Sequence, residues 1–242
     1  MKTIGTFLAF WLLCITCFAQ SLAKSDWGKP IPHGAQITFK ELERTRLKGQ
    51  TAVKYHMYAS GLPTDEEYTL WTWILGSDPE SQDVDAYINK DGLIVNVLAD
   101  PAHKIAEDPI DLTVFAGRGE PKQMALISDD NRYRAFGQVV PSPIEATVGP
   151  CRMTAVMYAP NYTVVRLFAE GLQPGEELQV DTQSGPEGGR VKAQATSDGK
   201  YISVLLPQVL GKRSGVTRFN ISAKSCTIGV EFPWGESSYK LQ

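Results

Sequence analysis

From position 50 onward, short runs of alternating apolar and polar residues are broken about every ten residues by glycine, proline, asparagine or aspartate. Residues 52–59, 68–75, 93–98, 110–115 and 123–128 are rich in β-branched and aromatic side chains and read as strands. Residues 132–140 form the second arm of a hairpin turned by Asp129, Asp130 and Asn131. Helix-like apolar spacing occurs in FKELERTRL, residues 39–47, which fits either one short helix or a first strand.

The pattern repeats. Residues 53–70, VKYHMYASGLPTDEEYTL, align without a gap on residues 163–180, TVVRLFAEGLQPGEELQV, at an offset of 110. Gly61 meets Gly171, Leu62 meets Leu172, and Glu66-Glu67 meets Glu176-Glu177. Asp91-Gly92 then meets Asp198-Gly199 at an offset of 107, a change of three residues in loop length. Each half is therefore one copy of a strand-built block of about 100 residues, the size of an immunoglobulin-like sandwich.

YASGLPTDEE and FAEGLQPGEE, in which a strand ends on glycine and an apolar residue before a Pro/Gly turn, resemble bacterial immunoglobulin-like and TIG-type domains. The second half, from Gly149-Pro150-Cys151 to Ser225-Cys226 and Phe232-Pro233-Trp234-Gly235, resembles secreted bacterial proteins built from such repeats. The resemblance implies a fold and a bacterial source, and it brings no catalytic residues with it.

Composition narrows the class. The 242 residues are 43% hydrophobic and 21% charged with a net charge of −3, which excludes a disordered acidic tail and a strongly basic nucleic-acid binder. Residues 1–23 carry Lys2, an apolar run over 4–18 and small-residue cleavage options, the pattern of a secretory signal peptide. Cleavage after Ala19 is favoured over cleavage after Ala23, and the run is too short to span a bilayer comfortably. Removal takes Cys14 and Cys17 and leaves Cys151 and Cys226, which an oxidising compartment would join.

The expected architecture is all-β: a signal peptide at 1–19, then two tandem immunoglobulin-like β-sandwiches over 24–141 and 144–242. Pro141 and Pro143 make the link between them short and stiff. Localisation is secreted or periplasmic, with no transmembrane segment in the mature chain.

Candidate chemistry is concentrated in the first half, where 18 acidic residues face 13 basic ones; the second half has 9 and 10. In GSDPESQDVDAYINKDG, Asp78, Glu80, Asp83, Asp85 and Asp91 could offer oxygens to Ca²⁺, with Asp78, Asp83 and Asp85 as the metal-site candidates, although a solvated acidic loop explains the same residues. The three histidines, His33, His56 and His103, show no zinc spacing and no nucleophile motif accompanies them. Strand parity gives a sharper expectation. Tyr68, Leu70 and Thr72 share the face of Leu178, Val180 and Thr182, so Thr69, Trp71 and Trp73 point the other way, where the second half has Gln179 and Asp181. Trp71 and Trp73 are either a ledge for a sugar, a peptide or a neighbouring domain, or core under a covering segment such as residues 27–39.

These residues suit a non-enzymatic secreted binding or structural module whose partner is a protein or a polysaccharide and not a nucleic acid. A carbohydrate-binding protein using Trp71 and Trp73 is the first alternative and a small extracellular hydrolase the second.

Overall fold

The computed structural model describes residues 34–47, 50–100, 103–236 and 238; the expected signal peptide, its two cleavage sites and Trp27 lie outside them. The described chain is all-β. The first half contains β1 (Gln36–Leu47), β2 (Gln50–Ser60), β3 (Tyr68–Ile74), β4 (Glu80–Ile88), β5 (Ile94–Asp100), β6 (His103–Pro109), β7 (Asp111–Phe115), β8 (Lys122–Ser128) and β9 (Arg134–Val139). The second contains β10 (Ile144–Val148), β11 (Cys151–Ala159), β12 (Val164–Glu170), β13 (Glu177–Ser184), β14 (Glu187–Gln194), β15 (Tyr201–Leu205), β16 (Ser214–Ser222) and β17 (Thr227–Gly235), with a 3-10 turn at Pro160–Tyr162.

Residues 39–47 are strand, and their helix-like spacing has a local cause. The β1–β2 register slips between Glu41 and Glu43, so Leu42 is the extra residue of a bulge and the alternation changes phase there. The acidic stretch expected as a loop is also strand. Its residues Glu80–Ile88 form β4, in which Asp85 faces away from buried Ala86 and Ile88.

In the second half, β10-β11-β12-β15 packs on β14-β13-β16-β17, the two-sheet immunoglobulin-like sandwich. Met153, Leu167, Leu178, Val180, Phe219, Ile221, Phe232 and Trp234 fill the space between the sheets. Trp234 closes the end of the last strand, its Nε1–H donating to Ser184 Oγ at 3.0 Å. The first half repeats the order β4-β3-β8-β9, but its strands join into one sheet, β6-β5-β4-β3-β8-β9-β1-β2-β7, and a bridge between Tyr58 and Leu93 brings β2 back to the start of β5. Its core is Ile37, Met57, Tyr68, Leu70, Ala86, Ile88, Ile94, Met124 and Leu126.

The duplication is visible in the backbone. Gly61 and Gly171 both have left-handed φ, +72° and +80°. In each, the space of the missing Cβ is taken by the chain entering the preceding strand: Ala35 lies 2.9 Å from that point at Gly61, and the Pro150 carbonyl 1.9 Å at Gly171. No larger residue fits either place without moving that chain.

The halves are knitted together at Gly119. Its N–H donates to the Ser142 carbonyl at 2.6 Å, and its own carbonyl accepts from the Met157 N–H at 2.8 Å. The buried Tyr162 stacks on Phe232 and donates its hydroxyl to the Arg118 carbonyl. Burial pushes the Tyr162 phenol up to about 12, so it stays a donor. Leu75, at the end of β3, packs against the second core.

Candidate functional site

The face carrying the tryptophans is built by β4, β3, β8 and β9. Tyr68 and Leu70 enter the core, so Trp71 and Trp73 point outward, opposite Ala125 and Gln123 of β8. Phe136 of β9 lies across from Ala125. This face is not a bare ledge. Both indoles are half-buried, Ala125, Ile127 and Arg134 beside them are buried, and Trp71, Trp73, Arg134 and Phe136 each already engage a partner. Asp85 pairs with Thr69 and so shares the indole face, while Asp83 lies in a bulge where β4 has extra residues against β3.

The same face in the second half is polar. Asp181 and Gln183 occupy the positions of Trp71 and Trp73, and with Thr182, Gly188, Gly189, Arg190 and Asn220 they line an open concavity of about 580 Å³. Arg190 pairs with Asp181, and Lys192 with Glu177 at 2.9 Å.

Asp78, Asp83 and Asp85, the calcium candidates, do not come together in one cluster. Among the described residues no three His, Cys, Asp or Glu side chains gather closely enough to hold a metal ion. An extended strand spreads Asp83 and Asp85 along its length, and Asp78 stands before the strand begins, whereas Ca²⁺ needs six or more oxygens curled around it.

A polar cluster that sequence spacing does not reveal lies on β2 and β7. Asp111 accepts from His56 Nδ1 at 2.5 Å and from Lys54 Nζ at 2.7 Å. Burial pushes the Asp111 carboxyl up, but the hydrogen bonds from Lys54 and His56 outweigh it and hold the group below its ordinary value. The partners are 55 residues apart in the chain, so only strand pairing brings them together. His56 is half-buried beside Tyr58 in an edge-on ring contact, and no nucleophile faces it among the described contacts.

Cys151 and Cys226 are bonded, with sulfurs 2.02 Å apart. The bond ties the start of β11 to the β16–β17 turn. Glu176 braces that turn: it accepts from the Ser225 hydroxyl at 2.7 Å, the Ser225 N–H at 2.8 Å and the Gln173 N–H at 3.0 Å. The Ser225 hydroxyl is the largest influence holding its carboxyl below the ordinary range, and the backbone donors add to it. Glu66, its counterpart, reaches Arg132 in the corresponding β8–β9 turn at 3.4 Å.

The halves differ most in the arms that leave the Asp-Gly turns. In the first, the Leu93 N–H donates to Asn89 Oδ1 at 3.0 Å; in the second, the Lys200 N–H donates to Thr196 Oγ1 at 2.9 Å. Gly92 and Gly199 are both left-handed. After the first turn the arms pair, Ile88 with Ile94 and Ala86 with Asn96, so β4 and β5 close the sheet. After the second turn they part: β14 stays with β13 along its whole length and β15 stays with β12. Among the described residues no strand covers the far edge of β15.

That edge is uncharged from Tyr201 to Pro207 and apolar at Ile202, Val204, Leu205 and Leu206. Ile202, Val204 and Leu206 are 51%, 56% and 70% exposed, and Val191 on β14, facing the gap, is 57% exposed. Phe168 lies opposite Ile202, with the Arg166 guanidinium 4.8 Å above its ring.

No family model and no curated protein matches the sequence. Among solved structures, a two-domain fibronectin type-III segment of chicken tenascin is 12% identical and covers 83% of this chain and 98% of its own, with a TM-score of 0.25. A DUF3823 family protein from Bacteroides ovatus is 8% identical, covers 86% of this chain and all of its own, and has a TM-score of 0.22. Red sea bream transglutaminase is 7% identical at a TM-score of 0.25, and the chain spans a third of its length. Overlaps this slight carry no weight for function, and the immunoglobulin-like architecture rests on the strand pairing itself.

Proposed function

We propose that this protein is a non-enzymatic secreted binding module whose second half contacts a macromolecular partner through the β15 side of its sandwich. The observation that carries the reading is the row Ile202 and Val204 of β15 with Leu206 just beyond it, each more than half exposed in a segment without a charged residue. Natural sheet edges are ordinarily blunted by charges, proline or a covering element, and a cluster of exposed apolar side chains marks an interaction surface. The edge strand across the gap, β14, shows that protection, with Arg190 and Lys192 flanking its lone Val191. The Cys151–Cys226 bond supports delivery to an oxidising compartment.

The test places a photoreactive benzophenone amino acid at position 204 or, as a control, at 192, in cells producing the full chain. A discrete adduct from 204 and none from 192 is expected; equal or absent adducts at both positions would contradict the reading.

The outward tryptophan face supports a second reading, as a carbohydrate-binding protein. Trp71 and Trp73 stand about 7 Å apart along β3, with the Asp85 carboxylate on the same face, which suits ring stacking beside a hydroxyl acceptor. Trp71→Ala and Trp73→Ala should then abolish retention on polysaccharide and leave the melting temperature unchanged. A loss of several kcal/mol of stability would instead make both indoles structural.

A further inference from the structure

The gap between β14 and β15 has a closed counterpart within the same chain, and the counterpart shows what fits it. In the first half the edge of β5 that corresponds to the open edge of β15 is occupied by β4, antiparallel, with Ala86 and Ile88 buried beneath it. The offset of 107 continues through these strands: Val84 corresponds to Val191, Ala86 to Ala193 and Ile88 to Ala195. β4 lies between the two, Ala86 pairing with Tyr68 of β3 on one side and with Asn96 of β5 on the other, and its register against β3 breaks between the partners of Thr69 and Trp71. β14 has no such break over Glu187–Gln194, so it follows β13 and leaves Val191 exposed.

We propose that this seam receives an extended strand from another protein, which pairs antiparallel with β15 as β4 pairs with β5. The proposal rests on the reading of the chain as a binding module and names its partner's chemistry. The backbone groups along the free edge of β15 supply the hydrogen bonds of β-strand addition, and pockets for alternate side chains supply selectivity. Inward residues of the added strand meet Val191 and the half-buried Tyr201 and Leu205; outward residues lie beside Ile202 and Val204.

Charge and area both define the occupant. Residues 201–207 carry no charge, so the strand they match is uncharged over its paired length, since a Lys or Glu inserted there would lose water without gaining a partner. A second copy joined edge to edge is the poorer occupant. Five residues of strand are roughly 17 Å long and a sheet layer is about 10 Å deep, so two copies would meet over roughly 200 Å² each. A stable interface needs about 800 Å² per partner. A strand lying in the seam touches β15 along its edge and β14 from the side.

The experiment uses the full mature chain and a fluorescent peptide of about seven alternating valines and threonines, capped at both ends and flanked by serines. Anisotropy should show saturable binding, weakened at least tenfold by Ile202→Lys or Val204→Lys. Both positions are more than half exposed, so the variants should melt with the wild type. Amide exchange, read in the wild type, should slow within residues 201–205 when the peptide is added and stay unchanged in β6 and β7. Absence of saturable binding, or binding without protection of β15, overturns the proposal. So does sedimentation showing a dimer of the chain alone that Val204→Lys dissociates, because the occupant is then a second copy. A benzophenone adduct from position 204 in the absence of peptide binding would overturn the strand while leaving the binding module standing; loss of both removes the module as well.

Discussion

Residues 89–93 and 196–200 make the same turn with the same kind of side-chain cap, yet one opens a hairpin and the other opens a gap. A local motif thus sets the direction of the chain without deciding which sheet each arm joins. That choice is made by the arms. β4 carries Ala86 and Ile88 into the core and bends at its bulge, whereas β14 carries Gly188, Gly189, Arg190 and Lys192 and stays straight against β13. Duplication supplied one block twice; among the described residues its edge is sealed in the first copy and open in the second.

The largest way to break the equivalence is to remove what only the second half possesses. Cys151→Ser or Cys226→Ser releases a closure spanning 75 residues, and the chain-entropy relation puts the loss at roughly 4 kcal/mol. Urea unfolding should show the second half destabilised by that amount, with the first half's amide protection retained.

A smaller change compares the two left-handed glycines. Alanine at either position meets the left-handed penalty of about 1–2 kcal/mol. At Gly171 the new methyl also falls on the Pro150 carbonyl at 1.9 Å, against 2.9 Å from the Ala35 backbone at Gly61. Gly171→Ala should therefore cost more than Gly61→Ala, and equal shifts in the unfolding midpoint would contradict the packing described.

The braces of the two turns differ in their response to acid. Glu176 is held below its ordinary value in the folded protein, so its stabilising contribution is complete above about 4.5 and is lost as the pH falls through the lowered value. Glu176→Gln should be less stable than the wild type at pH 7, with the difference shrinking below pH 4.5. Glu66→Gln removes a mostly exposed ion pair with Arg132 and should cost under about 1 kcal/mol.

The smallest effect expected is at the open edge. Val204→Thr keeps the β-branched shape on an exposed strand position and should change stability by no more than about 0.5 kcal/mol.

Much of this was legible in residue order. The offset of 110, the shared face of Tyr68, Leu70 and Thr72, and the candidate disulfide all follow from spacing, because strand parity and thiol count are local or additive properties. Bulges were not legible. At Leu42 the extra residue made β1 resemble a helix, and the break in β4 register hid a strand inside an acidic stretch. The candidate site was harder still. Whether an outward indole is covered, whether Asp111 meets His56 and whether β15 has a neighbour depend on residues far apart in the chain, which no window of sequence contains.

Amide hydrogen exchange of β5 and β15 in the same protein tests the difference between the halves most directly. Val95 and Asn96 of β5 have partners on both sides, so their amides should exchange slowly, while about every second amide of Tyr201–Leu205 should exchange rapidly from the free edge. Uniform slow exchange along β15, equal to that of β5, would contradict the open seam.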